Sequence, residues 1–393
     1  MRRGLSLFLL LAPALALAAL GVLMVTSTTA RHATAAFGDP RHFVIRQVIA
    51  IALAAALALA IVRAGPARVL HAAPVIFALT LLAALAVFIP GIGVRAAGAR
   101  RWLHIGMLTG SPAPILTVAV ALIISAWGRD DEFAPPPPRV GLPADGTFAA
   151  RATVLEPLPR RLLALALAFA GLLALVIEPD FSAAAIAGAV GLAALAGLGF
   201  RGRRLVPAAA ALVLALMLVA SQFAYVSGRL RGFLAPERDR HGKGFEVLAL
   251  ARASAGATTS GAGLGHGEAR HRLSSPSSDY VFAIVTEEMG KTVARGVGVA
   301  WLAIAAGAVL AARGLGDRRM RALALASGLA MVAPAALHIA VCTGLVPIIG
   351  VTMPLVSYDP AATLAAGAEI GLIASIALAA PGRAPELAGA GAG

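Results

Sequence analysis

The sequence is short of charge. Only 13% of its 393 residues are Asp, Glu, Lys or Arg, and 59% are hydrophobic. Soluble domains carry about 25% charged residues, so most of this chain's surface is expected to face lipid. Cysteine is reduced to Cys342, inside an apolar run. That excludes a disulfide framework and a cysteine-based metal cluster, and Cys342 reads as a small buried hydrophobe. The apolar runs lack the period-2 alternation of strands, so they are helices rather than barrel staves. There is no RNA-binding signature and no long basic tail. The net charge of +14, almost all from arginine, therefore points to membrane topology and anionic headgroups, not to nucleic acid. No internal repeat of the transporter kind stands out.

What is there is a series of ten Ala/Leu-rich stretches, roughly 5–27, 43–63, 70–90, 112–127, 161–177, 182–199, 204–225, 292–312, 322–346 and 361–380. A helix rising 1.5 Å per residue crosses about 30 Å of hydrocarbon in about 20 residues. The expected fold class is an all-α polytopic bundle of ten transmembrane helices, one membrane domain over 1–380. The first stretch, behind Arg2 and Arg3, looks like a signal peptide but is expected to be a retained helix, since more of its kind follow. Arg63 and Arg68, then Arg201, Arg203 and Arg204, then Arg313, Arg318, Arg319 and Arg321 occupy the even loops. The short odd loops 178–181 and 347–360 have no Lys or Arg. The positive-inside rule then puts both termini in the cytoplasm. Arg95, Arg100 and Arg101, in the third loop, run against that asymmetry. The proline-rich segment 128–160 reads as a cytoplasmic linker, and 381–393 as a disordered tail.

One long polar stretch, 226–290, interrupts the apolar pattern between the seventh and eighth spans, on the expected outer face. It carries Arg229, Arg231, Arg270 and Arg272, a glycine-rich centre, and then Asp279, Glu287 and Glu288. Taken alone, Ser277-Ser278-Asp279 before an apolar run is an ordinary helix-capping pattern. Glu287 can pair with Lys291 one turn on. The arginines can meet anionic lipid or grip a phosphate bidentately.

Several strings carry a family resemblance. Phe37-Gly38-Asp39-Pro40 is followed by Phe43-Val44-Ile45-Arg46-Gln47, and IPGIGVRAAGARRWLHIG runs from Ile89 to Gly106. Glu178-Pro179-Asp180 stands between two spans. Phe233-Leu234-Ala235-Pro236-Glu237-Arg238-Asp239 precedes GAGLGHG, and SSDYVFAIVTEEMG and MPLVSY follow. In this order they resemble the SEDS family of bacterial polytopic proteins, the FtsW/RodA/SpoVE group, and lie closer to its FtsW-like division branch.

The resemblance implies a glycosyltransferase that polymerises the peptidoglycan precursor lipid II, in the bacterial inner membrane. It also implies a class B penicillin-binding protein as transpeptidase partner, beside other division or elongation membrane proteins. Asp279 matches the family's essential aspartate and becomes the candidate general base. Arg46 and Arg101-Trp102 match positions near the outer face. They are candidates to line the same substrate groove as Arg229, Arg231, Arg270 and Arg272, which are candidates to hold the leaving diphosphate. Glu287 and Glu288 are candidates for substrate binding or for structural pairing. A divalent cation, Mg2+ or Mn2+, is a candidate cofactor, with no protein ligand assigned.

There are departures from the family. Pro114 and Thr117 stand where its QPSExxK string has Glu and Lys, and His338 replaces an asparagine. The histidine before the aspartate is absent, and Asp359-Pro360 replaces the GG of SYGGSS. On the sequence, a non-catalytic scaffold of the division complex and a lipid-linked precursor transporter stay open as alternatives.

Overall fold

In hydrocarbon a backbone must satisfy its own polar groups, and the Ala/Leu runs do so as helices. The computed structural model describes residues 2–96, 99–105, 108–127, 160–239 and 242–379. In chain order the helices are α1 (Arg2–Phe37), α2 (His42–Ala64), α3 (Pro66–Leu85), α4 (Ala113–Trp127), α5 (Arg160–Ile177), α6 (Phe181–Gly197), α7 (Gly202–Ala220), α8 (Ala224–Leu234), α9 (Lys243–Gly256), α10 (Ala269–Arg272), α11 (Val281–Ala312), α12 (Arg318–Cys342) and α13 (Pro360–Ala379). Seven described helices are long and apolar enough to cross a membrane: α1, α2, α3, α7, α11, α12 and α13. The apolar cores of α4, α5 and α6 are shorter, at 10–17 residues. The protein is a multi-pass helical membrane protein. The expected linker 128–160, except for Arg160, and the expected tail lie outside the described residues.

The all-α expectation needs one amendment. Between α3 and α4 lies a three-stranded antiparallel sheet, β1 (Gly93–Ala96), β2 (Ala99–Ile105) and β3 (Leu108–Gly110), in the order β1-β2-β3. Val94 pairs with Trp102 and Leu103 with Gly110. Branched and aromatic residues of this kind suit a pleated surface, and the sheet delivers Arg101 to the same end of the bundle as Asp279.

Two boundaries also move. Helix α1 runs to Phe37, about three turns beyond the expected end at residue 27. Its polar last turns persist because Thr26, Thr28, Thr29 and Thr34 turn their hydroxyls back onto the carbonyls four residues earlier. Helix α11 begins at Val281, well before the expected 292, and breaks at Gly290 (φ 86°). A Cβ there would lie 2.3 Å from the Thr259 carbonyl oxygen, where the glycine-rich segment packs against the break. Only glycine fits both that conformation and that approach.

Small residues bring the helices together. The most extensive helix contact joins α2 to α13. There Gly367 and Gly371, one turn apart, face Ala54 and Ala58, also one turn apart. A Cβ on Gly367 would meet the Ala54 carbonyl oxygen at 2.4 Å, and one on Gly371 would meet Ala58 Cα at 2.8 Å. This is the small-xxx-small packing that lets backbones touch in lipid. His338 of α12 is fully buried. Its Nε2 accepts from Phe282 N (3.3 Å) and its Nδ1 donates to the Val351 carbonyl (2.7 Å), so it ties α12 to α11 and to the segment before α13.

Candidate active site

Five segments meet at one end of the bundle: the turn 178–180, strand β2, helix α8, the turn before α11, and residues 347–359. Asp279 sits in the turn before α11. Its backbone N–H donates to the Ser275 carbonyl (3.1 Å). The turn is held from behind by Ser357 Oγ, which donates to the Ser278 carbonyl (2.6 Å), and by Tyr358 N–H, which donates to the Ser277 carbonyl (2.8 Å). The capping alternative fails here. Tyr280, not Asp279, is the N-cap of α11, and no side chain of the cap residue closes that helix end. His338 takes up the Phe282 N–H instead.

Freed from capping, Asp279 faces two guanidiniums. A methyl group built on Gly350 would lie 3.7 Å from Asp279 Oδ2, 3.8 Å from Arg229 Nη2 and 4.0 Å from Arg101 Nη2, so the three converge on one point. Burial pushes the Asp279 carboxyl above the ordinary aspartate range, and Asp359 adds to the rise. Arg101, a hydrogen bond from Ser278 and Arg229 oppose it. Arg101 is itself held by Asp180, 3.7 Å away, and Asp180 caps α6 through Ala183 N–H (3.0 Å). Arg229 stacks over the Tyr225 ring at 5.3 Å, and the Tyr225 hydroxyl donates to the Pro179 carbonyl (2.7 Å). Both arginines are therefore oriented from the same turn.

Asp279 and Arg101 line a cavity of about 130 Å³ that runs down between the helices past Asp359 to Pro334, Ala365 and Glu369. Pro114 and Thr117 also line it. At these positions the resemblance would place a glutamate and a lysine. Across the cavity Glu369 supplies a carboxylate from α13 instead. Asp359 accepts from Thr352 Oγ1 (2.9 Å) and from the N–H groups of Ala361 and Ala362 (3.1 Å each), capping α13. Among the described residues no group of three or more His, Cys, Asp or Glu is placed to hold a metal ion.

The other candidates scatter. Arg46 lies beside Tyr358, whose phenol burial pushes above its ordinary range while the Arg46 charge opposes the rise. Arg231 is exposed on α8, and Arg272 pairs with Glu268 on the surface. Glu287 accepts from the N–H groups of Glu268 (3.0 Å) and Ala269 (2.9 Å), so it fastens the start of α10. The expected Glu287–Lys291 pair does not form among the described ion pairs, because Gly290 interrupts the helix between them. Glu288 is buried. Its Oε2 accepts from Ser27 Oγ (2.6 Å) and Gly265 N–H (2.9 Å), and Oε1 lies 4.0 Å from Arg270.

Sequence reasoning missed two residues. Glu246 accepts from Lys243 Nζ (2.7 Å), Tyr280 Oη (2.9 Å) and Ser274 Oγ, and so clamps α9 to the residue beside Asp279. Glu178 is fully buried with neither carboxylate oxygen hydrogen-bonded. Burial and the neighbouring Asp180 push it up to about 8, against a lowering by Arg101. The Lys243–Glu246 spacing was a legible clue to the first. The second stands in a Glu-Pro-Asp string where the resemblance has Gln.

The fold and site define a multi-pass helical membrane protein with a carboxylate between two arginines at the mouth of a cavity at one end of its bundle. The chain belongs to the FtsW/RodA/SpoVE family of cell-cycle proteins, which it matches over residues 7–380. It is 31% identical over 377 residues to the probable peptidoglycan glycosyltransferase FtsW of Halorhodospira halophila, covering 91% of this chain and 87% of that one. The protein of the same description from Idiomarina loihiensis is 28% identical, with 92% and 85% covered. Among solved structures, the fold is similar to a chain described under the structural coordination of polymerization and crosslinking by a peptidoglycan synthase complex. The TM-score is 0.68 at 20% identity, with 93% and 96% covered. It is also similar to the rod shape determining protein RodA of Thermus thermophilus, at TM-score 0.63 and 18% identity, with 94% and 96% covered.

Proposed function

We propose that the protein is a peptidoglycan glycosyltransferase that polymerises lipid II, with Asp279 as its general base. The observation that carries the reading is the convergence of Asp279, Arg101 and Arg229 on one point at the cavity mouth. The names of the relatives support the same reaction class and the division branch. The 4-hydroxyl of one lipid-linked sugar attacks the anomeric carbon of another. A C–O bond forms there, the bond to the diphosphate breaks, and the hydroxyl proton passes to Asp279. Arg101 and Arg229 supply positive charge for the departing diphosphate, which needs no general acid. Of the cavity's carboxylates, Asp180 and Asp359 cap α6 and α13 and Asp279 faces guanidiniums, which leaves Glu369 alone outside those roles, too few for a ligand set. Mg2+ or Mn2+ would then be held by diphosphate oxygens rather than by a protein ligand set.

The loop end then faces the outside of the cytoplasmic membrane, with both termini in the cytoplasm, and a class B penicillin-binding protein is the partner. Asp279→Asn keeps size and hydrogen bonding but removes the base. We expect polymerisation of lipid II by the purified protein with its partner to fall about 10²–10⁴-fold, with expression and partner binding unchanged. Polymerisation at the parent rate would remove Asp279 from the chemistry. Pro114 and Thr117 favour a second reading, a non-catalytic scaffold. It takes over if the parent makes no polymer under conditions where an active relative does.

A further inference from the structure

Glu178 stands at the end of α5 with no exposed surface, and neither of its carboxylate oxygens meets a hydrogen-bond donor. An ionised carboxylate left buried and unpaired is expensive. The polymerase chemistry makes no use of this group, and the resemblance has Gln here, an uncharged side chain of the same shape. Few charges face it. Asp180 lies two residues on in the same turn, and Arg101 comes from β2. Helices α4 and α6, which pack against α5, carry no charged residue. Helix α3 carries Arg68 and His71 at its start, the end away from the sheet.

Arg101 is shared between this turn and the cavity mouth. Its Nη1 lies 3.7 Å from Asp180, too far for a hydrogen bond. Its Nη2 is the atom 4.0 Å from the point at Gly350 on which Asp279 and Arg229 also converge. The guanidinium is thus loosely tethered, with one nitrogen toward the turn and the other toward the mouth. Arg229 is steadied separately, through the Tyr225 ring and the Pro179 carbonyl. With Glu178 neutral, the turn sets one negative charge, Asp180, against Arg101. With Glu178 ionised it sets two, and among the described residues Arg101 is the cation that faces Glu178. A buried carboxylate with no other donor is satisfied by drawing that cation toward it. The mouth then keeps only Arg229 of its two guanidiniums.

We propose that Glu178 is a positioning residue: as the neutral acid it leaves Arg101 free to hold a diphosphate at the mouth, and its ionisation withdraws Arg101 and closes the site to anions. The inference rests on the polymerase reading, in which that diphosphate is the leaving group. Burial and Asp180 push the Glu178 carboxyl up to about 8, against a lowering by Arg101, so the neutral form persists at neutral pH. The sign follows from that value. Affinity for a diphosphate is full below about pH 8 and declines above it, and by linkage a bound diphosphate keeps the proton on Glu178. A Gln at this position has no proton to lose, so the device comes with the Glu of this chain.

The test uses the full-length protein in phosphatidylcholine nanodiscs, with farnesyl diphosphate as the probe. Its dissociation constant is measured at about pH 7 and about pH 9, where roughly a tenth of the protein keeps the proton, so binding should weaken about tenfold. In Glu178→Gln the same change of pH should weaken it by less than about twofold. Arg101→Gln should bind more weakly at both pH values and lose the dependence, which a merely structural Glu178 would not bring about. The probe's own ionisation is common to all three proteins. Equal pH dependence in parent and Glu178→Gln, or none in the parent, overturns the proposal, as does a tenfold loss that survives in Arg101→Gln. No binding by the parent at either pH overturns it too. Infrared spectra give a readout without the probe. The protonated-carboxyl band missing from Glu178→Gln should fade near pH 8 in the parent and at higher pH in Arg101→Gln, since the cation that favours ionisation is gone. Fading at one pH in both would uncouple the two residues and sink the idea. Should Glu178→Gln not fold, Arg101→Gln carries the affinity measurement alone. A parent that binds the probe with the expected pH dependence yet makes no polymer strikes the polymerase reading and leaves Glu178 in its role, so the two failures are told apart.

Discussion

Asp279 has a raised proton affinity because burial outweighs the arginines beside it, and this sets a pH dependence. A general base works only when ionised, so the rate should fall as pH drops through a value above the ordinary aspartate range. Arg101 lowers that value, so Arg101→Gln should move the acid limb of kcat/KM to higher pH and slow the reaction. A pH–rate profile that leaves the limb in place would separate Arg101 from Asp279. Glu178 gives a stability test of the same kind. Its carboxyl is pushed up from 4.5 to about 8 in the folded protein. Between those values the native state keeps a proton that the unfolded chain has lost, and stability declines as pH rises. Glu178→Gln, which keeps the shape without the charge, should raise the melting temperature at pH 8 and above and change little near pH 5. Equal shifts at both would mean that Glu178 is not the buried acid it looks to be.

At the scale of elements, the α2–α13 contact is built on Gly367 and Gly371 against Ala54 and Ala58. A side chain larger than hydrogen at Gly367 has backbone, not a flexible tip, in its way. Overpacking of this sort costs typically 1–3 kcal/mol, and Gly367→Leu should lower stability in detergent by at least about that amount. The same substitution at Gly296, where a Cβ meets nothing within 4 Å, is the control and should be near neutral. Similar losses at both positions would refute close helix packing as the cause. Helix α13 also carries Glu369 and is capped by Asp359, so displacing it should reach the cavity as well as the fold.

At the scale of the whole molecule, the arginine asymmetry of the loops carries the proposed orientation, with both termini in the cytoplasm. Ser260 is exposed in the glycine-rich segment beside Gly290. A cysteine placed there, with Cys342 removed, should react with an impermeant maleimide in intact spheroplasts. Labelling only after lysis would invert the topology and put the Asp279 site on the wrong side for lipid II polymerisation. Periodicity-free apolar runs made the spanning helices legible in the sequence, since hydrocarbon tolerates little else. The sheet at 93–110 escaped notice because its strands are short and one of them is interrupted by a bulge after Val94.

The sequence by itself determined that this is a multi-pass helical protein and that its charge is concentrated in a few loops. Both follow from the energetic cost of polar groups in lipid, which is local to each stretch. The sequence set Asp279 apart as the candidate base. Of the six candidate arginines, Arg46 and Arg101 from family strings and Arg229, Arg231, Arg270 and Arg272 from the polar stretch, it did not say which would join it. Only the tertiary structure decided that Arg101, from a strand far earlier in the chain, and Arg229 share a point with Asp279, while Arg231 and Arg272 stay on the surface. It also turned Glu287 into a brace for α10 and Glu288 into the buried support of Arg270. These decisions depend on how α8, α10, β2 and the turn before α13 pack against one another. Such contacts join residues tens to hundreds of positions apart, and no spacing along the chain encodes which of them will meet.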